Sequence, residues 1–191
     1  MQKLIFATAL ISAVYILSSC NSQDDINQIE DDAPAVFFPL ADFIDTEVAR
    51  LDSLNLTLAK KVNYQGKEEE QTVETIDFEQ ELSIFRRADI NKPSWTDKYQ
   101  ADSVFQDAQV REASYQALEE DLEVRSLLVK WDAGGAVTEV RIRRENSSAL
   151  ASNEYDLAYF PATGYRISTQ QQNRAAEPIA ITIEGNFIAK E

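Results

Sequence analysis

Histidine is absent from the chain, cysteine and methionine occur once each, and glycine and proline five times each in 191 residues. Without imidazole no Ser-His-Asp or Cys-His pair can form, and the single Cys20 leaves no ordinary structural or catalytic zinc site. Cations are scarce as well: 18 Lys and Arg stand against 33 Asp and Glu, for a net charge of -15. A surface of that sign repels phosphate backbones and anionic headgroups, so neither nucleic acid nor a membrane adsorbed by charge alone is expected as a partner. The one glycine pair, Gly134-Gly135, precedes an alternating strand pattern and not a helix N-terminus, so it reads as a hairpin turn and not a phosphate-binding loop. Around Asp31 and Asp32 the calcium-loop pattern is missing. Carboxylate-pair chemistry stays formally open, yet with acids this abundant no pair stands out from a solvated surface. No enzyme activity, cofactor or metal is expected.

What is present is the composition of a globular protein, 44% apolar, in a length that holds one ordinary domain and an appendage. Lys3 precedes an apolar run from Leu4 to Leu17 broken only by Thr8 and Ser12. The run is too short to span a bilayer, and residues 1–19 read as a signal peptide. The following Leu17-Ser18-Ser19-Cys20 resembles the bacterial lipobox. That resemblance implies that Cys20 is acylated and becomes the first residue of a chain held in the membrane by its lipid anchor. Asn21 stands where an aspartate would resemble the inner-membrane retention signal of enteric bacteria, which points to the cell outer membrane. Ser22-Gln23-Asp24-Asp25 resembles the short acidic export signal of Bacteroidota lipoproteins, which implies that Asp24 and Asp25 direct the chain to the cell surface. The same acids also read as part of a solvated tether over residues 20–35, which carries no aromatic residue. Asp52-Ser53-Leu54 and Asp102-Ser103-Val104 resemble the Asp-Ser/Thr-apolar acceptor of O-glycosylation in that phylum.

The folded domain is expected over residues 36–191. Leu40, Ile44, Val48 and Leu51 recur at helical spacing and predict a helix over residues 39–52. Leu56, Leu58, Val62 and Tyr64 alternate, Gln65-Gly66-Lys67 reads as a turn, and residues 71–76 as the return strand. Asp77 with Gln80 forms a capping-box pattern ahead of Phe78, Leu82 and Phe85, which stripe a second helix ending near Arg87. Two hairpins follow, around Gly134-Gly135, both expected at positive φ, and around Pro161-Ala162-Thr163-Gly164. Ile179, Ile181 and Ile183 form a last strand before Gly185, and residues 100–120 fit neither period well, with a strand expected around residues 114–118. The expected class is α+β, a mainly antiparallel sheet of hairpins with one or two N-terminal helices packed on one face.

Three side chains are candidate binding anchors. Trp95 lies in or beside a loop, where an aromatic residue serves as a recognition anchor or caps the core. Arg141 and Arg143 belong to the densest basic cluster of an acidic chain and project from the strand face opposite Val140 and Ile142. They bind a partner or pair with acids on neighbouring strands, such as Glu123. The function expected is a lipid-anchored, non-catalytic binding or scaffolding domain of the cell envelope with an envelope protein as partner. The alternatives are a lipid or lipoprotein carrier with a half-barrel cavity, and a small carboxylate-pair hydrolase.

Overall fold

The computed structural model describes residues 36–148, 150–174 and 176–190, so Cys20, Asp24 and Asp25 lie outside the described residues. Helix α1 spans Leu40–Asp52, with Leu40, Ile44, Glu47 and Leu51 as its buried stripe. No side chain of its own N-cap residue, Pro39, can bond the first turn. Asp89 does so from the far side, accepting from the Ala41 N–H at 3.0 Å. Helix α2 spans Phe78–Arg86, and its N-cap Asp77 accepts from the Gln80 N–H at 2.9 Å. Arg86 on α2 pairs with Asp45 on α1 at 2.6 Å.

Nine strands form one antiparallel sheet among the described residues: β1 (Leu56–Tyr64), β2 (Lys67–Val73), β3 (Tyr99–Gln106), β4 (Gln109–Ala117), β5 (Val124–Trp131), β6 (Val137–Ser147), β7 (Ala151–Phe160), β8 (Gly164–Asn173) and β9 (Ala176–Ala189). Their order is β2-β1-β9-β8-β7-β6-β5-β4-β3. Strands β3 to β9 meander in chain order, and β1 closes against β9.

Alternation gives the sheet two faces. One row of partners on the helix face reads Val129, Val140, Tyr159, Tyr165, Gly185 and Lys60, and the next Leu127, Ile142, Leu157, Ile167, Ile183 and Val62. Against these rows the helices bring Leu40, Ile44, Leu51, Phe78, Leu82 and Phe85, all buried. The Phe85 ring stands 5.8 Å from Tyr159 and 6.2 Å from Tyr165, and Phe78 stands 5.7 Å from Phe187. Each such side chain contributes about 1.5–3 kcal/mol by burial, so the helices and the sheet stabilise one another. This is the expected α+β arrangement.

Four expectations of local structure are corrected. β2 begins at Lys67 and ends at Val73, because the poor strand formers Glu68 and Glu70 are both held by Lys61 across the ladder. The strand expected around residues 114–118 lies within β4, which begins earlier, at Gln109, and ends at Ala117, with β3 before it as the other half of a hairpin. β9 runs on through Gly185, which pairs with Tyr165 on β8 and Lys60 on β1, and the missing side chain leaves room for the Tyr165 ring, which a Cβ would strike at 2.5 Å. In the β5–β6 turn only Gly135 has positive φ, at 83°; the Asp132 carboxylate organises the rest by accepting from the Gly134 and Ala136 N–H groups.

Candidate functional site

Each helix inserts one carboxylate toward the sheet. Glu47, the one buried charged side chain among the described residues, accepts from the Tyr159 hydroxyl at 2.7 Å and from Arg50 at 2.9 and 2.7 Å. Glu81 on α2 accepts from the Tyr165 hydroxyl and from Lys60 Nζ at 2.7 and 3.0 Å. Burial, and then the neighbouring Glu47, raises the Tyr159 phenol above its ordinary value; burial and Glu81 do the same to Tyr165. Both carboxylates are thus held by a phenol and a cation. The Phe85 ring touches both tyrosines. Such an arrangement pins two helices to a sheet. Among the described residues no cluster of three or more carboxylate, cysteine or histidine side chains is placed to hold a metal.

The opposite, outer face carries the depressions. One row of register partners there reads Leu128, Arg141, Ala158, Arg166, Glu184, Lys61 and Glu70, crossing β5, β6, β7, β8, β9, β1 and β2. The adjacent row reads Ser126, Arg143, Asp156, Ser168, Thr182, Asn63 and Glu68. Four depressions of about 340 to 460 Å³ follow these rows and share side chains, so they join into a groove transverse to the strands. The largest, about 460 Å³, lies over Ala158 and is lined by Arg141, Arg143 and Arg166 against a single acid, Asp156. Three arginines thus converge on one depression in a chain of net charge -15.

The small Ala158 makes this depression possible, since it stands between two arginines in the register. Neighbouring strands lie about 4.8 Å apart, so the Arg141 and Arg166 backbones are roughly 10 Å apart, close enough for both guanidinium groups to reach one anionic group between them. The hydroxyls of Ser126 and Ser168 also line this part. Each arginine rests on an acid outside the floor: Arg141 on Glu139, Arg143 on Glu154 at 3.4 Å, and Arg166 on Glu184. More than half of each arginine side chain is exposed, so these pairs are weak and exchangeable.

Of the expected anchors, Arg141 and Arg143 therefore come together and gain Arg166 as a third member. Both pair with acids as well, and so does the next residue, Arg144, which bonds Glu123. Trp95 is placed elsewhere. It lies half-buried in the short 3-10 turn Pro93–Trp95, its ring 6.0 Å from Tyr99 on the helix side of the sheet and covered by the Lys92 ammonium at 3.8 Å. Of the two serines in the glycosylation pattern, Ser53 donates its hydroxyl to the Arg50 carbonyl, and Ser103 is exposed on β3. Arg166 escapes a reading of the sequence because no basic residue adjoins it; only the strand register reveals its place. Comparison with protein-family models, with curated proteins and with solved structures finds no match.

Proposed function

We propose that the chain is a lipid-anchored outer-membrane lipoprotein whose folded domain binds an acidic segment of an envelope protein along its outer face. The observation that carries the binding half is the convergence of Arg141, Arg143 and Arg166, each in a weak and exposed ion pair, on one depression of a strongly acidic chain. Charge complementarity of this kind selects partners and speeds encounter more than it adds raw affinity. The anchoring half rests on the lipobox resemblance at Leu17 to Cys20, and delivery to the cell surface on Asp24 and Asp25. A non-catalytic role is supported by the engagement of Glu47 and Glu81 in structural pins. Packing of α1 through Leu40, Ile44 and Leu51 and of α2 through Phe78 and Phe85 onto the sheet favours a binding domain over a carrier, whose acyl chains need an open apolar space.

Three measurements test anchoring, delivery and binding separately. Cys20→Ala is expected to abolish palmitate labelling and membrane retention; a variant still labelled and retained removes the anchor. Asp24→Ala with Asp25→Ala is expected to leave a lipidated chain shielded from protease added to whole cells. Arg141→Ala with Arg166→Ala, folded by circular dichroism, is expected to lose crosslinked envelope partners in intact cells. Trp95→Ala is expected to keep them. Unchanged recovery in the double arginine variant removes the groove as the binding surface.

A further inference from the structure

The two edges of the sheet differ in a way that bears on assembly. An edge strand offers unpaired N–H and C=O groups to any other extended chain, and proteins blunt that hazard with charge, proline, bulges or short strands. On β2 the blunting is evident, with Lys67, Glu68, Glu69 and Glu70 among its seven residues. On β3 it is slight: Asp102 is the only charge in eight residues, its carboxylate accepting from the Ser103 N–H at 2.8 Å, there is no proline, and residues 101–106 are all exposed. Val104 and Phe105 are among the most exposed large apolar side chains, at 55% and 63%. A register shift does occur in the β3–β4 hairpin, between Val104 and Phe105. The residue it leaves unpaired is Arg111 on β4, so β3 keeps an unbroken alternation along its free edge.

We infer that the β3 edge pairs antiparallel with β3 of a second copy of this chain, joining two sheets about a twofold axis at Ser103. A twofold interface must be complementary to itself, and antiparallel partners must share a face. Centred on Ser103, Asp102 meets Val104 of the other copy, so the two acids do not oppose each other. Phe105 then meets Ala101, a bulky exposed ring against the smallest side chain on that strand, and Gln100 meets Gln106. The same register lays Phe105 beside Tyr115, the ladder neighbour of Ala101. Within a chain of net charge -15 an acidic surface repels a second copy; this edge carries one acid, against three acids and one lysine on the β2 edge.

Ser103→Cys in the full-length chain tests the pairing, because directly opposed antiparallel residues lie within disulfide reach. Non-reducing electrophoresis of envelopes from intact cells is expected to show a reducible homodimer for Ser103→Cys. It should be absent from the parent, whose only thiol is Cys20, and from Glu69→Cys on the opposite edge. Val104→Lys with Phe105→Lys is expected to abolish the dimer of the purified full-length chain in sedimentation, with its circular dichroism unchanged. A parent that sediments as a monomer, or equal crosslinking from Ser103→Cys and Glu69→Cys, overturns the inference. So does an intact mass that places a sugar on Ser103, since a glycan there closes the edge.

Discussion

Tyr159 and Tyr165 face each other across the β7–β8 ladder, and each donates its hydroxyl to a glutamate on a different helix, Glu47 on α1 and Glu81 on α2. One cross-strand pair therefore fixes both helices, and the two bonds differ in burial. Glu47 retains 9% side-chain exposure and Glu81 23%. Tyr159→Phe is expected to destabilise the domain by about 1–3 kcal/mol, because the buried carboxylate loses a donor that water cannot replace. Tyr165→Phe should cost less, since Glu81 keeps Lys60 and some water. Urea unfolding of both variants checks the order, and the reverse order would refute it.

Burial also separates two ion pairs on α1. Asp45 and Arg86 are about half exposed, and the Arg86 hydrogen bond, opposed by slight burial, still holds the Asp45 carboxyl below its ordinary value. Asp45→Asn is expected to change stability by less than about 1 kcal/mol, and the change should shrink in high salt. Glu47→Ala is expected to cost about 2 kcal/mol or more, because it strands the buried Tyr159 hydroxyl. Equal losses in the two variants would count against the pin.

Tyrosine ionisation sets an alkaline limit. Burial, the largest influence, pushes Tyr99 up from 10.0 to about 12, with Arg125 opposing and Glu123 adding to the rise; Tyr159 and Tyr165 are raised too. Above about pH 10 the unfolded chain loses these protons while the folded one keeps them, so stability falls as pH rises. The contribution is complete below about pH 10 and is lost between the unfolded and the folded values, by about pH 12 for Tyr99. Urea midpoints are expected to drop steadily over that alkaline range, and Tyr99→Phe should flatten the drop. A midpoint independent of pH there would contradict the raised values.

Two glycines are expected to respond for different reasons. Gly135→Val places a branched side chain at φ 83° in an exposed turn and should cost about 1 kcal/mol or more. Gly185→Ala is expected to cost at least as much, since its Cβ would displace Tyr165 and with it the bond to Glu81. In a Tyr165→Phe background the hydroxyl part of that loss should vanish, which a double-mutant cycle measures.

Both helices and the β5–β6 and β7–β8 hairpins are legible in the sequence, because their apolar residues keep a period and their ends carry Asp77, Gly135 or Pro161. The β3–β4 hairpin is legible only at its end, around residues 114–118. Its turn is Asp107-Ala108, held at φ 52° and 61° without a glycine, and most of its residues are exposed, so no alternation marks a core side. Arg141 and Arg143 stand out by density alone, while the groove they line depends on Ala158 and Arg166, which only the register brings beside them. Glu47 is hidden among 33 acids; what distinguishes it is its place on the buried stripe of α1.

The pairing of β1 with β9 has a temporal consequence. Synthesis runs from one end to the other, and the helices are made long before the strand that carries Gly185 and Phe187. Until that strand arrives, β1 and β2 form an isolated hairpin, Phe78 lacks its partner ring, and the meander ends in an open edge at β8. Completion of the core is therefore deferred until β9 is made. A chain halted within β9 forfeits both the ladder to β1 and the contact of Phe187 with Phe78.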